Sequence, residues 1–274
     1  MEWRKIKTII LLMLVGVNVF LLALVGLRES QSARYAEETR QAAVAVLERS
    51  GITFGLERVP ADLELIPLTV TRDRESEAAV AEALLGPVTE LGESEVRPRY
   101  VGEGGSAEFS MNGDFTILPK AGTWSRESGE SYESASAACL ARIGFEGVFQ
   151  SMLEQEDQTV LTYCQSWAGA TVFSCRVELF WQGDSLVRVE GQRLAGTAVE
   201  TAAGQPLSTV DVLMRFLAGV SEGEYICRSI DAMEAGYLLS GIARPVQLVP
   251  VWRITTDTRV FYLDAYTGAL STVS

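Results

Sequence analysis

Residues 159–193, TVLTYCQSWAGATVFSCRVELFWQGDSLVRVEGQR, contain three strand-like runs, Thr159–Trp167, Val172–Trp181 and Ser185–Arg193, separated by the turn signals Gly169-Ala170 and Gly183-Asp184. In the middle run Phe173, Cys175, Val177, Leu179 and Trp181 alternate with Ser174, Arg176 and Glu178. A two-residue period of this kind belongs to an antiparallel strand with one face on a core and the other toward water. The apolar set needs a covering layer, and the flanking sequence supplies helices for it. The expected fold class is therefore α+β, with antiparallel sheets packed on helices.

Working outward, a helix is predicted from about Tyr132 to Ile143, ahead of the three strands. Thr209–Ala218 reads as a further helix, followed by strands near Tyr225–Leu239, Gln247–Thr255 and Arg259–Asp264. The order helix, strand, strand, strand thus occurs twice, an internal structural repeat within a C-terminal domain of residues 132–274. Residues 121–131 are rich in Gly and Ser and read as a linker. Before them, residues 51–120 form a small α+β unit. Its strand Leu63–Thr71 precedes a helix, Glu75–Leu85, that ends at Gly86-Pro87, and strands follow near Arg99–Val101, Ala107–Met111 and Phe115–Leu118. Asn112-Gly113 between the last two is a hairpin signal.

The N-terminal part has a different character. Residues 6–27, IKTIILLMLVGVNVFLLALVGL, carry one charge, Lys7, and the uncharged run Thr8–Leu27 is 20 residues long. That length spans a hydrocarbon core as a helix, and it exceeds the apolar stretch of a cleaved signal peptide. Arg4 and Lys5 in the stub 1–5, with Lys7, lie before the span, and Glu29, Glu37 and Glu38 follow it. The distribution of basic residues places the N-terminus in the cytoplasm and the C-terminal domain outside, in a single-pass protein of the cell membrane. A juxtamembrane helix over 28–50, Ser32–Ser50 at its core, continues the span and stops at Gly51. Within the span Asn18 is an amide in hydrocarbon, and Gly16, Ala23 and Gly26 are small residues at which helices approach closely. Two readings stay open: an Asn18 tolerated alone, or a partner-binding face formed by these four residues.

Composition narrows the functions. The 23 basic residues less Arg4, Lys5 and Lys7 leave 20 from Arg28 onward, and the 36 acids less Glu2 leave 35, a net charge of −15. Such a surface repels phosphate backbones, which argues against nucleic acid as a partner. It leaves cationic partners open, beside the plain reading that acid keeps an exposed domain soluble. The chain has no histidine. That removes the usual proton-transfer residue and the commonest zinc or copper ligand, and with them Ser-His-Asp and Cys-His sites. No local motif marks a carboxylate pair or a Ser-Lys site, so no catalytic, cofactor-binding or metal-ligating residue is predicted and no cofactor is expected.

Cys139, Cys164, Cys175 and Cys227 lie in a domain expected to be exported. With a turn at Gly169-Ala170, cross-strand partners sum to 339, which sets Cys164 opposite Cys175 at about 5.5 Å between Cα atoms, within disulfide range. The competing reading is four small buried hydrophobes.

Leu248–Leu270, LVPVWRITTDTRVFYLDAYTGAL, resembles the end of the YycI (WalI) family and a PepSY-like pattern of Pro-x-Trp-x-Ile, an aromatic strand and Asp-Ala-x-Thr-Gly. The opening, MEWRKIKTIILLMLVGVNVFLLAL, is similar to the YycI opening, with an aromatic residue at position 3 and Asn18 followed by Val-Phe-Leu. The resemblance implies a membrane-anchored, extracytoplasmic accessory subunit of a cell-wall two-component system. It would bind and adjust a sensor histidine kinase of the WalK (YycG) type beside a YycH-like sister protein, without catalytic residues. Trp252, Ile254, Phe261 and Leu263 also read as plain core, with Asp264 and Gly268 in a turn. An alternative of another class is a PepSY-type anchored protein that binds an extracytoplasmic hydrolase and inhibits or chaperones it. An anchored enzyme using carboxylates is the weakest reading, because the acids are dispersed.

Overall fold

The computed structural model describes residues 13, 14, 17, 18, 20, 34–73, 76–91, 97–240 and 245–272. Among these residues are four helices, α1 (34–49), α2 (Ser76–Leu85), α3 (Tyr132–Arg142) and α4 (Thr209–Glu222). The strands are β1 (Leu68–Arg72), β2 (Val88–Glu90), β3 (Arg99–Gly102), β4 (Gly105–Phe109), β5 (Asp114–Pro119), β6 (Gly147–Glu154), β7 (Thr159–Trp167), β8 (Ala170–Gln182), β9 (Ser185–Gln192), β10 (Gly196–Glu200), β11 (Ile230–Ser240), β12 (Val246–Thr256), β13 (Val260–Asp264) and β14 (Leu270–Thr272). The class is mixed α+β, as expected. The repeat is larger than expected: α2, α3 and α4 are each followed by four strands that pair in succession, β2–β5, β6–β9 and β11–β14.

The chain divides into two compact units. One comprises residues 63–207, 234–254 and 260–274, and the other residues 1–62, 208–233 and 255–259. The predicted linker at 121–131 falls inside the first unit, and its composition misleads because Trp124 lies within it. The Trp124 indole donates to the Leu84 carbonyl at 3.0 Å, Leu186 N–H donates to the Trp124 carbonyl, and Arg126 pairs with Asp184 at 2.6 Å.

In the larger unit two four-strand meanders join edge to edge where β5 meets β9 antiparallel, Asp114 opposite Gln192 through Ile117 opposite Val189. Helices α2 and α3 cover one face of this sheet. Val80, Ala81, Leu84 and Leu85 of α2 and Ala135, Cys139 and Leu140 of α3 pack on Phe109, Ile117, Leu161, Tyr163, Val177, Leu179 and Trp181. Ser131 caps α3 by accepting from Ser134 N–H at 3.1 Å. The five apolar positions predicted to face the core, Phe173 to Trp181, are all buried.

β8 serves two neighbours on one side: its C-terminal half pairs with β9, and Thr171 and Val172 pair in parallel with Gly236 and Tyr237 of β11. The transition is a bulge. β7 meets β8 with Gln165 opposite Val172 but Cys164 opposite Arg176, which inserts Phe173–Cys175 between the two registers. Phe173 then packs with Val251 and Tyr262, while Val172 and Cys175 pack with Val70, Leu194 and Leu248. Gly191 makes the crossing from β8 to β9 feasible, since its φ is 147° and a Cβ there would stand 2.0 Å from the Arg176 carbonyl oxygen.

In the smaller unit, Thr53 N–H donates to the Arg228 carbonyl and Ile230 N–H to the Thr53 carbonyl, at 2.8 and 2.9 Å. Asp257 accepts from the backbone N–H groups of Arg228 and Ser229, and those bonds hold its carboxyl below the usual range. Ser208 caps α4 by accepting from Asp211 N–H.

Candidate interaction surface

Strand β6, GVFQSMLE, pairs with β7 on one side and, among the described residues, with no strand on the other. Its apolar side chains lie in solvent: Val148 is 43% exposed, Phe149 44%, Met152 40% and Leu153 56%. Exposed edge strands are ordinarily protected by charge, proline or brevity, because their free N–H and C=O groups invite another strand. β6 has eight residues, no proline and one charged residue, the terminal Glu154.

A bulge at Gln150 sets which side chains face which way. Phe149 lies opposite Tyr163 and Ser151 opposite Thr162, with Gln150 inserted between. Phe149 and Met152, three apart in sequence, therefore share the helix-covered face with Tyr163 and Leu161, and Val148 and Leu153 share the other with Cys164 and Val160. Phe149 sits edge-on to Tyr163 at 5.6 Å between ring centroids. The bulge is held from below: Arg253 of β12 donates to Gln150 Oε1 at 3.1 Å, pairs with Glu234 Oε2 at 2.5 Å and lies 4.5 Å over the Phe173 ring. Both faces of the edge thus carry exposed apolar side chains.

Beside the first residue of β6 is a hollow of about 390 Å³ lined by Ala137, Leu140 and Ala141 of α3, Phe145, Gly147 and Tyr163. The Tyr163 hydroxyl donates to the Glu133 carbonyl at 3.3 Å, and burial together with the Glu133 carboxylate pushes its ionisation upward. It remains a neutral apolar wall at physiological pH. Among the described residues no group of three or more His, Cys, Asp or Glu converges as a metal site.

The residues singled out from sequence lie elsewhere. Asn18 is helical and exposed, while Gly16, Ala23 and Gly26 lie outside the described residues. No helix among the described residues is long and apolar enough to cross a membrane, and most of 6–27 is not among them. The register proposed for Cys164 and Cys175 is not formed. The turn is at Ala168-Gly169, both with positive φ (50° and 81°), and the bulge then shifts Cys164 onto Arg176. Cys164 carries a free thiol raised in pKa by burial. Trp252, Ile254, Phe261 and Leu263 are buried, as the core reading predicted.

The uncharacterized protein from Eubacterium rectale ATCC 33656 is a solved structure that superposes on 78% of this chain and 86% of its own, with a TM-score of 0.51 and 10% identity. The two share a fold. The C-terminal domain of YpeB from Bacillus megaterium gives a TM-score of 0.40 at 11% identity, over 75% of this chain and 99% of that one. No protein-family model and no curated protein matches the sequence.

Proposed function

We propose that this chain is a membrane-anchored extracytoplasmic accessory protein. Residues 6–27 hold it in the bilayer, and the outer part binds and adjusts a second membrane protein through β6. The observation that carries this reading is an eight-residue edge strand whose four large apolar side chains, two on each face, are 40–56% exposed, a surface that a monomer should conceal. The anchor, the absence of histidine and the YycI-like ends support a regulatory rather than a chemical role. They make a sensor histidine kinase of the WalK (YycG) type, with a YycH-like protein beside it, the partner to test. The helix-plus-strands repeat is read as PepSY-like on the same grounds.

The test is copurification of the full chain from its own membranes, with Leu153→Lys and with residues 6–27 exchanged for an unrelated apolar helix. The reading expects the kinase with the unaltered chain and less of it with either change. Recovery of an extracytoplasmic hydrolase in its place would favour the alternative function. Undiminished kinase recovery with Leu153→Lys would remove β6 from the account.

A further inference from the structure

Resting on that reading, we infer that β6 is a strand-addition site for an extended segment of the partner, apolar at alternating positions and bearing Lys or Arg at both ends. Gln150 Nε2 donates to the Val148 and Phe149 carbonyls at 3.3 and 3.2 Å, so an incoming peptide pairs by main-chain bonds with the unbulged run Ser151–Glu154 and displaces that amide to extend toward Gly147, while pockets for alternate side chains select it. One face of the added strand would lie against Phe149 and Met152, the other against Val148 and Leu153. The hollow between α3 and Gly147 takes a bulky apolar side chain at one end.

Charge sets the ends of the occupant. Between Arg142 and Arg176 the sequence has no basic residue and four acids: Glu146 just before the strand, and Glu154, Glu156 and Asp157 at and beyond its end. All four are exposed. Arg253, which reaches Gln150 of the strand, is engaged by Glu234. The same charges disfavour a second copy of this chain. Antiparallel self-pairing about the middle of β6 brings Glu146 of one copy to Glu154, Glu156 and Asp157 of the other at both ends, and parallel pairing stacks each acid on itself. Like charges opposed across a ladder are destabilising. A segment with cationic ends meets the acids at both.

The probe is a fluorescent peptide, KKVTVSFTVKK, titrated with the full chain in non-ionic detergent and followed by anisotropy. The expected result is saturable binding. It should weaken at least tenfold when the four Lys are replaced by Glu, when the two Thr are replaced by Pro, and when salt rises from about 0.05 to 0.5 M. Leu153→Lys and Val148→Lys should each weaken it at least tenfold with unchanged circular dichroism, and Leu118→Lys, on the central strand β5, should not. No binding, equal binding of the Lys and Glu peptides, or insensitivity to Leu153→Lys would each overturn the inference. So would a dimer in sedimentation that Leu153→Lys dissociates, which would give the edge to a second copy. If the peptide fails while copurification still depends on Leu153, the partner chemistry is wrong and the docking function stands.

Discussion

Trp181 and Trp252 form a matched pair whose replacement by Phe should have unequal costs. Both lie in the larger unit and each is 1% exposed, so the volume lost is the same and the cavity terms nearly cancel. Trp181 Nε1 donates to Ser136 Oγ at 2.9 Å, joining β8 to α3, whereas Trp252 Nε1 is buried with no hydrogen-bond partner among the described residues. Trp181→Phe loses a bond worth about 1 kcal/mol and leaves the buried Ser136 hydroxyl without this donor. Trp252→Phe instead removes an unsatisfied donor whose burial costs about 1–3 kcal/mol. Trp181→Phe should therefore be the more destabilising by about 2 kcal/mol or more. At an m-value of roughly 2 kcal/mol per molar urea this separates the two midpoints by about 1 M. Urea unfolding of the full chain in detergent, read by far-ultraviolet circular dichroism, gives the comparison without relying on tryptophan emission. Ser136→Ala should cost less in the Trp181→Phe background than alone. Equal midpoints, or Trp252→Phe unfolding first, would refute the assignment of these bonds.

Gly191→Ala places a methyl against backbone atoms of Arg176 and Val177 at a φ that other residues avoid, so thermal unfolding should show a loss of about 3 kcal/mol or more. Burial, then the Asp257 carboxylate, raises the Cys227 thiol to about 11, so iodoacetamide should modify it at pH 8 about tenfold more slowly than an ordinary thiol, the lower thiolate fraction being partly offset by higher nucleophilicity, with the rate climbing until about pH 11. Cys139, raised by burial to about 12, favours the folded state fully below the ordinary thiol range, and that stability should be lost as pH rises from about 9 to 12 in alkaline titrations followed by circular dichroism. Asn18→Leu should leave the amount of protein in the membrane unchanged while reducing kinase recovery, and a reporter active only in the cytoplasm should be silent when fused after Ser274.

What could be read from sequence follows the regularity of each element. The alternation from Phe173 to Trp181 survives in the structure because each of its apolar members is buried, even though a bulge interrupts it. That bulge has no local signature, and the turn was displaced by one residue because Ala168, a residue that seldom adopts positive φ, occupies its first position. Together these two features moved Cys164 away from Cys175. β6 was missed for a related reason. In VFQSML the apolar residues stand at i, i+1, i+4 and i+5, a spacing that matches a helical face rather than the alternation of a strand, since the bulge at Gln150 lets Phe149 and Met152 share a face. The strand that carries the proposed function was thus the one whose pattern its own bulge erased. In 121–131 the Gly and Ser content outweighed Trp124, whose indole and carbonyl bonds fix the segment to α2 and β9.

Site-specific photocrosslinking tests the central claim most directly. A benzophenone amino acid in place of Leu153, in the full chain within its own membranes, should capture a sensor histidine kinase through a segment with basic residues at both ends, and the same group at Leu118 should capture none. Capture of a second copy of this chain at Leu153, or of the kinase equally from both positions, would contradict it.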